Sequence, residues 1–581
     1  MANFFTDNDD IQFLFNHLDV ARIATLLEED FRFARENDDA PADAQEAIEK
    51  YRRLLSELGE LAANEIAPTA AETDEIGNIL NPDGSVTYTP GIAKSLKLLS
   101  EAGFMGSTLP YRFGGRNCPA LFLTITNDII SRADAALMNL YGLQGIGETI
   151  NAYASEEIKE EYLSDLAAGR KTGAMVLTEP EAGSDLQAAK VKAWQNDAGN
   201  WFIKGVKRFI TNGCGHVLLV MARSEPDITD GRGLSLFLVE RGPKVRVRRL
   251  ENKLGIHGSP TCELEFDDAP GRLVGERQQG LIKYVMALMY GARLGIAAQA
   301  CGIGEAAFRV ARNYAHQRKQ FGTEIETFPA VRELLVDSAV DLQAARALTY
   351  FTAYCLDIQV GMQRKLDAGD FDSPDDEKQA KAQLRVYKKY AGMLTPMAKY
   401  YASEMCTRVA MNSISVMGGS GYMHDYPLER HLRDSRITTI YEGTTQLQIV
   451  PSVSAVFSGL AHNLLEELTA GDWPEEIAPM IEQIRGGMKD LQEVIGFVKE
   501  QPDPNYRRLY ARKIVDMAIF LVIGALFCDQ ATVSDAKKTV LSQWTAWRMP
   551  ELKMNKQRVL SGDQGVLTEF ETLVGAVSVP V

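Results

Sequence analysis

The chain has 581 residues, of which 45% are hydrophobic and 24% are charged, and its formal net charge is −16. A chain of this length exceeds one ordinary domain and can bury a large core, so we expect several domains. The negative charge and the pI of about 5.1 disfavour nucleic acid and anionic lipid as partners, because the average surface repels phosphate groups.

The cysteines and the first residues indicate the compartment. The seven cysteines are scattered singly, without a C-x-x-C pair or a Cys/His cluster at zinc-ligand spacing, so we expect core thiols and no metal site. The first residues, MANFFTDNDDIQFLF, are acidic and do not resemble a secretory signal or a transit peptide, which predicts a cytoplasmic location. The longest apolar run, Met517 to Cys528, is shorter than the roughly 20 residues that span a bilayer. It predicts a buried helix and no membrane span.

Apolar periodicity divides the chain into four predicted domains. Residues 1–172 repeat apolar positions at steps of three and four, as in IEKYRRLLSELGELAANEIA, which predicts a helical domain with an N-terminal extension. Residues 173–283 change to short alternating runs between turn residues, which predicts an antiparallel β-domain that is either a compact barrel or a sandwich. Residues 284–458 return to long helical patterns typical of a helix bundle, and residues 459–581 predict an additional helical extension. The fold class is therefore α+β.

The first candidate binding segment lies at the start of the β-domain. No G-x-G-x-x-G follows a predicted strand, so a Rossmann dinucleotide site is not supported. MVLTEPEAGSDLQAAK and the later KGVKRFITNG instead offer small and hydroxyl side chains that allow a planar ring to approach the backbone. These are Thr178, Gly183, Ser184 and Thr211. A plain hairpin with Ser/Thr turns explains either piece equally well.

The second segment is QRKQFG, Gln317 to Gly322, which follows a long helical pattern. The guanidinium of Arg318 suits pyrophosphate oxygens, because it can donate two parallel hydrogen bonds. Basic residues near a helix end are more often solvated charges that match the helix dipole. This segment alone therefore indicates little.

The third segment, SVMGGSGYMHDYPLERHLRDSRITTIYEGTTQLQ, runs from Ser415 to Gln448. The pair Gly418 and Gly419 would let the backbone approach a phosphate closely. A lone glutamate such as Glu442 is usually a solvated surface residue, so its interpretation as a catalytic group depends on its neighbours.

Together and in this order, the three segments resemble the acyl-CoA dehydrogenase superfamily over about residues 46–456. The resemblance implies the family fold, with an N-terminal α-domain, a middle β-barrel and a C-terminal helix bundle, and it implies FAD as the cofactor. YEGTTQLQ matches the family's catalytic segment. By that match Glu442 removes the α-proton of an acyl-CoA thioester, flavin N5 accepts the β-hydride, and the product is a 2-enoyl-CoA.

The resemblance also implies contacts for cofactor and substrate. The expected FAD contacts are Met175, Leu177, Thr178, Gly183, Ser184, Phe209, Thr211, Arg318, Gln320, Phe321, Gly418, Gly419, Thr444 and Gln446. The expected substrate contacts are Ser184, Arg293, Tyr441 and Gly443. In the family, the QRKQFG element and the glycine pair serve the FAD of a neighbouring subunit. We therefore expect a homo-oligomer, dimer or tetramer, whose subunits share the FAD site.

One position rules out a family variant, and two others depart from common family patterns. One family variant carries its base immediately before the arginine that is Arg293 here, but this chain has Ala292, which cannot accept a proton. Ser415 and Pro329 stand where the family often has glutamine. With the long terminal extensions, these departures resemble the larger branch that includes the 3-methylthiopropanoyl-CoA dehydrogenases.

Several functional alternatives stay open at this point. The family implies electron transfer to an electron-transfer flavoprotein and a place in β-oxidation of fatty acids, whereas an acyl-CoA oxidase would use oxygen with the same flavin. A flavoprotein that binds DNA is a third reading, for which the C-terminal extension offers Arg548, Lys553, Lys556 and Arg558. The extension could also cover a subunit surface, replace a tetramer contact or dock a redox partner, with the subunit contact favoured. The sequence does not indicate acyl chain length or branching.

Overall fold

The computed structural model describes residues 1–369, 371 and 373–576. The chain divides into two compact units, Met1–Thr445 and Gln446–Val581. In chain order, the first unit contains short helices, a small closed sheet and a group of long helices. The predicted α+β class with a central β-barrel is confirmed, while the four predicted domain ranges stay a prediction.

Amphipathic helices form the first part of the chain. They are α1 (Asp9–His17), α2 (Val20–Leu27), α3 (Ala44–Leu61), α4 (Ala70–Ile76), α5 (Pro90–Glu101), α6 (Ala120–Ala133), α7 (Ala135–Gly142), α8 (Ile146–Tyr153) and α9 (Glu156–Ala167), with a hairpin of β1 (Ile79–Leu80) and β2 (Val86–Thr87) between α4 and α5. Helix α3 shows how the sequence sets these elements. The Asp43 side chain caps its first turn, and Tyr51, Leu54 and Leu58 recur on one buried face.

The middle part is a closed seven-stranded sheet. Its strands are β3 (Gly173–Val176), β4 (Lys192–Gln195), β5 (Trp201–Thr211), β6 (Val217–Arg223), β7 (Leu234–Glu240), β8 (Val245–Leu250) and β9 (Thr261–Val274). The strand order is β3-β6-β4-β5-β9-β7, and pairing of β6 with β7 closes the barrel while β8 pairs with β9. Most pairs are antiparallel, but β3 and β4 each run parallel to β6. Side-chain alternation has the same period in both kinds of pair, so the sequence could not reveal this difference.

Long helices complete the first unit. They are α10 (Met286–Gln317), α11 (Pro329–Ala368), α12 (Pro374–Met417) and α13 (Leu428–Thr438), with a hairpin of β10 (Lys319–Gln320) and β11 (Thr323–Glu324) after α10. A buried guanidinium joins the helices of this unit. Arg346 of α11 pairs with Asp128 of α6 at 2.8 Å, with Glu305 of α10 at 3.0 Å and with Asp10 of α1 at 3.0 Å. This network fixes α10, which carries two of the groups at the candidate site.

The second unit is helical. Its helices are α14 (Thr445–Phe457), α15 (Leu460–Leu468), α16 (Ala478–Lys499), α17 (Pro504–Ala531), α18 (Asp535–Leu560), α19 (Gly565–Thr568) and α20 (Phe570–Val574). Trp544 of α18 is fully buried, with its ring 6.0 Å from Phe520 and 5.7 Å from Phe527 of α17. These aromatic contacts hold α17 and α18 together.

Within the part of the chain that the structure describes, two helices are long and apolar enough to cross a membrane by length and composition alone, Gly280–Gln317 and Pro504–Ala531. The second contains the predicted buried run, Met517 to Cys528, and 89% of its most apolar window is buried inside the protein. Core helices pass the same test of length and composition, and the burial of this window is typical of them.

Candidate active site

Glu442 lies in a turn between α13 and α14. Its φ is 54°, and that of the following Gly443 is 93°, so both residues are in the left-handed region. A side chain in this region costs about 1–3 kcal/mol, and such a conformation persists only where the surroundings hold it. The Glu442 side chain is half-buried. The contacts that hold this turn therefore decide where its carboxylate points.

Two cationic side chains donate to successive carbonyls of the turn. Nε of Arg293, on α10, lies 3.4 Å from the Glu442 carbonyl oxygen. Nζ of Lys399, on α12, lies 2.7 Å from the Gly443 carbonyl oxygen. Arg293 is 8% exposed and Lys399 is fully buried. The structure thus brings the predicted Arg293 to the predicted base and adds a lysine beside it.

The residue before Glu442 is held by a buried amide pair. The Tyr441 hydroxyl donates to Oδ1 of Asn139 at 3.1 Å and also to Oε1 of Gln299. Nε2 of Gln299 in turn donates to Oδ1 of Asn139 at 3.0 Å. Because the hydroxyl is engaged by α7 and α10, a substrate contact by Tyr441 is left to its ring.

The electrostatics of the turn favour a proton acceptor. Burial raises the pKa of Glu442, and the positive charges of Arg293 and Lys399 oppose that rise. Burial lowers the pKa of Lys399 to about 7, although the Glu442 carboxylate attracts its proton. Burial also lowers the pKa of Arg293. A carboxylate with a raised pKa accepts a proton more readily near neutral pH than an ordinary one.

The two pieces of the first predicted segment lie together on the barrel. The Arg208 amide donates to the Thr178 carbonyl at 2.9 Å. The next residue, Phe209, has a φ of 61°, and its ring is 53% exposed. A Cβ added to Gly183 would meet nothing nearer than 3.8 Å. An exposed aromatic ring next to open backbone fits a planar aromatic cofactor.

The second and third segments also lie close together. The hydroxyl of Tyr314, near the end of α10, is 3.2 Å from Oγ of Ser420, which follows the glycine pair. Gly418 has a φ of 59°, and a Cβ on either glycine would meet no atom within 4 Å. Phe321 is 96% exposed. The open backbone and the exposed ring leave room for a nucleotide to approach.

Comparison with known proteins shows the family of the chain. Family models of acyl-CoA dehydrogenase match in chain order, the N-terminal domain at residues 49–170, the middle domain at 174–269 and the C-terminal domain at 279–368 and 377–451. The chain belongs to the acyl-CoA dehydrogenase family. The predicted family, the enzyme class and FAD as the cofactor are thereby confirmed.

Individual relatives are similar over most of their length. A probable acyl-CoA dehydrogenase of Mycobacterium tuberculosis is 33% identical over 414 residues, which cover 69% of this chain and 94% of that protein. The structure of butyryl-CoA dehydrogenase from Megasphaera elsdenii matches with a TM-score of 0.59 and 30% identity over 70% of this chain and 97% of that one. An acyl-CoA dehydrogenase complexed with FAD from Bacillus anthracis matches with a TM-score of 0.75 over 88% of each chain, and at 24% identity it shows the fold alone.

The other predicted cofactor contacts of this acyl-CoA dehydrogenase occupy varied surroundings. Leu177 is buried, whereas Met175, Thr211 and Thr444 are half-buried, and Ser184, Arg318, Gln320 and Gln446 are exposed. The assignment of each residue to FAD or to substrate stays a prediction.

Sequence reasoning missed the groups that hold the turn at Glu442. Lys399, Gln299 and Asn139 all contact it, and the Thr445 hydroxyl donates to Oε1 of Glu404 at 2.8 Å. One signal was available for Lys399 and Gln299. Each is a polar residue in an otherwise apolar helical run, MLTPMAKYYA and GIAAQACGIG.

Proposed function

We propose that this acyl-CoA dehydrogenase converts an acyl-CoA thioester to a 2-enoyl-CoA, with Glu442 as the base that removes the α-proton. The observation that carries the proposal is the setting of Glu442. Its half-buried carboxylate stands on a left-handed turn between Arg293 and Lys399, and its pKa is raised.

The chain's own residues perform the proton transfer in this scheme. A carboxylate oxygen of Glu442 accepts the α-proton, and negative charge develops on the thioester oxygen. The backbone N–H of Glu442, if it points at that oxygen, would stabilise the charge, as preorganised donors stabilise the oxyanion in acyl-transfer enzymes. Arg293 and Lys399 keep the turn in place during the step. FAD, when bound, supplies the acceptor for the hydride that leaves the β-carbon.

The FAD would lie against the barrel and a partner subunit. In this proposal Thr178, Phe209 and Thr211 flank its ring, while Arg318 and the glycine pair serve the phosphates of a neighbouring copy. The exposure of Arg318, Gly418 and Gly419 supports this arrangement, because these residues are open to a second chain. The proposal therefore includes a homo-oligomer. It also includes, as the family resemblance implies, transfer of electrons to an electron-transfer flavoprotein during β-oxidation in the cytoplasm.

The DNA-binding alternative is weakened by ion pairs in the C-terminal extension. Lys556 lies 2.7 Å from Asp490 and 2.6 Å from Glu493, and Arg548 lies 2.8 Å from Glu551. These carboxylates neutralise part of the charge that would attract a phosphate backbone. We therefore favour the enzyme.

An anoxic titration tests the proposal. The visible spectrum of the purified FAD protein is recorded while a series of saturated acyl-CoAs of different chain length is added. We expect one of them to bleach the flavin of the wild type. Retention of FAD without bleaching by any acyl-CoA would refute the proposed reaction. Release of hydrogen peroxide during turnover in air would instead favour an oxidase.

A further inference from the structure

A fully buried lysine contacts the residue that follows the proposed base. Lys399 is in the middle of α12 and is 0% exposed. Its ammonium donates to the Gly443 carbonyl at 2.7 Å. Burying an ammonium group is expensive unless it is paired, so an apolar residue would be the simpler occupant of this position. Compared with an apolar residue, Lys399 adds a hydrogen bond to the turn.

Helix α12 holds the turn at two points. Five residues after Lys399, Glu404 accepts a hydrogen bond from the Thr445 hydroxyl at 2.8 Å. The two contacts lie on either side of Thr444, and the opposite helix, α10, contributes Arg293 to the Glu442 carbonyl. The charged groups that face Lys399 are Glu442, Arg293 and Glu404. Glu442, whose backbone is in the left-handed region, therefore lies between two helices. Helix α10 binds the Glu442 carbonyl, and helix α12 binds the Gly443 carbonyl.

We propose that Lys399 is a positioning residue that fixes the Glu442–Gly443 turn through the Gly443 carbonyl and thereby aims the Glu442 carboxylate. The proposal rests on the proposed role of Glu442 as the base. Lys399 does not touch the reacting atoms in this scheme. It acts through the backbone of its neighbour and through its charge, which faces Glu442.

Lys399→Met removes the donor and the charge while keeping most of the side-chain volume. A hydrogen bond from a charged group contributes enough that its loss should let the turn open about tenfold more often. A base displaced by about 1 Å reacts about 100-fold more slowly, so kcat should fall roughly 10- to 100-fold. KM should stay within about threefold of the wild-type value, because the variant changes the orientation of the base more than it changes substrate binding. The acid limb of the pH profile should move to higher pH, because one of the two cations facing Glu442 is gone.

The experiment uses the full-length FAD protein and two independent readouts. Hydrogen–deuterium exchange is followed in peptides that cover residues 440–448, and kcat and KM are measured across pH with the acyl-CoA that bleaches the flavin. Lys399→Arg, which keeps a charged donor, should restore part of both properties. Lys537→Met is the matched control, because Lys537 is 4% exposed but belongs to the second unit.

We expect about tenfold faster exchange around Glu442 in Lys399→Met, and wild-type exchange in Lys537→Met. Lys399→Gln, whose shorter amide stops short of the carbonyl, serves as a second variant if the methionine protein does not fold, and should give at least about threefold faster exchange. Unchanged exchange at the turn, or faster exchange throughout the chain, would overturn the proposal. Hydrogen exchange can be measured without turnover. If no acyl-CoA reduced the flavin of the wild type, the proposed reaction would be refuted, but the exchange result would still decide whether Lys399 positions the turn.

Discussion

Replacing Glu442 with glutamine separates the catalytic role of this residue from any role in stability. Glutamine keeps the size of the side chain and the length of its reach, but it cannot accept the α-proton. A positioned base contributes about 10²- to 10⁴-fold to the rate of a proton transfer. We therefore expect the rate of flavin bleaching by acyl-CoA to fall at least about 1,000-fold.

The same change should not destabilise the protein. Burial raises the pKa of Glu442 in the folded state above its ordinary value of 4.5, in spite of Arg293 and Lys399. Ionisation is therefore disfavoured by folding, and the wild type loses stability as the pH rises from the unfolded pKa to the folded one. A tenfold weaker acid in the folded state corresponds to about 1.4 kcal/mol. Neutral glutamine avoids this loss, so at pH 7 its Tm should equal or slightly exceed that of the wild type.

The rate of flavin bleaching is measured by stopped flow under anoxic conditions. The Tm is measured by thermal unfolding, followed by circular dichroism, at pH 7 and near pH 4.5. Any gain in Tm should disappear at the lower pH, where Glu442 is largely protonated. Glu377→Gln is the matched control, because Glu377 is also a half-buried glutamate but lies in the first turn of α12. If Glu442→Gln kept more than about a tenth of the wild-type rate, the base would lie elsewhere. A fall in Tm beyond about 5 °C would show that the carboxylate supports the fold.

Three further predictions concern pH, the core and the glycine pair. The acid limb of the kcat/KM profile should lie above pH 4.5, because activity is lost as the pH falls through the raised pKa of Glu442. An acid limb at or below pH 4.5 would contradict this expectation. Arg346→Met should lower the free energy of unfolding in urea by about 3–5 kcal/mol, because buried Asp128 loses its partner, and a loss under about 1 kcal/mol would refute the importance of this network. Gly418→Ala should reduce thermal stability because the φ of Gly418 is 59°, whereas Gly419→Ala should not, and both should lower the FAD content measured by absorbance if the pair faces the cofactor.

Local patterns in the sequence predicted most of the helices and strands, and the family resemblance pointed to the proposed base. Helix α3 follows from its cap at Asp43 and from apolar residues three and four apart. The strands of the middle domain follow from short alternating runs between turn residues, whereas the pairing of β6 with β7 that closes them into a barrel is seen only in the structure. Glu442 was recognisable only through its neighbours in YEGTTQLQ and the two earlier segments, since a single glutamate carries no signal of its own.

The tertiary structure decided what surrounds that glutamate. Lys399 and Gln299 are 43 and 143 residues from Glu442 in sequence, and no short motif joins them to it. Only the packing of α10 and α12 against the turn brings their donors and acceptors within hydrogen-bond distance. The raised pKa of Glu442 is likewise a property of that packing, because desolvation and nearby charges depend on the distances between groups remote in the chain. The sequence by itself pointed to Glu442 as the proposed base through its neighbours in the chain, whereas the fold decided the contacts that hold its turn and the rise of its pKa.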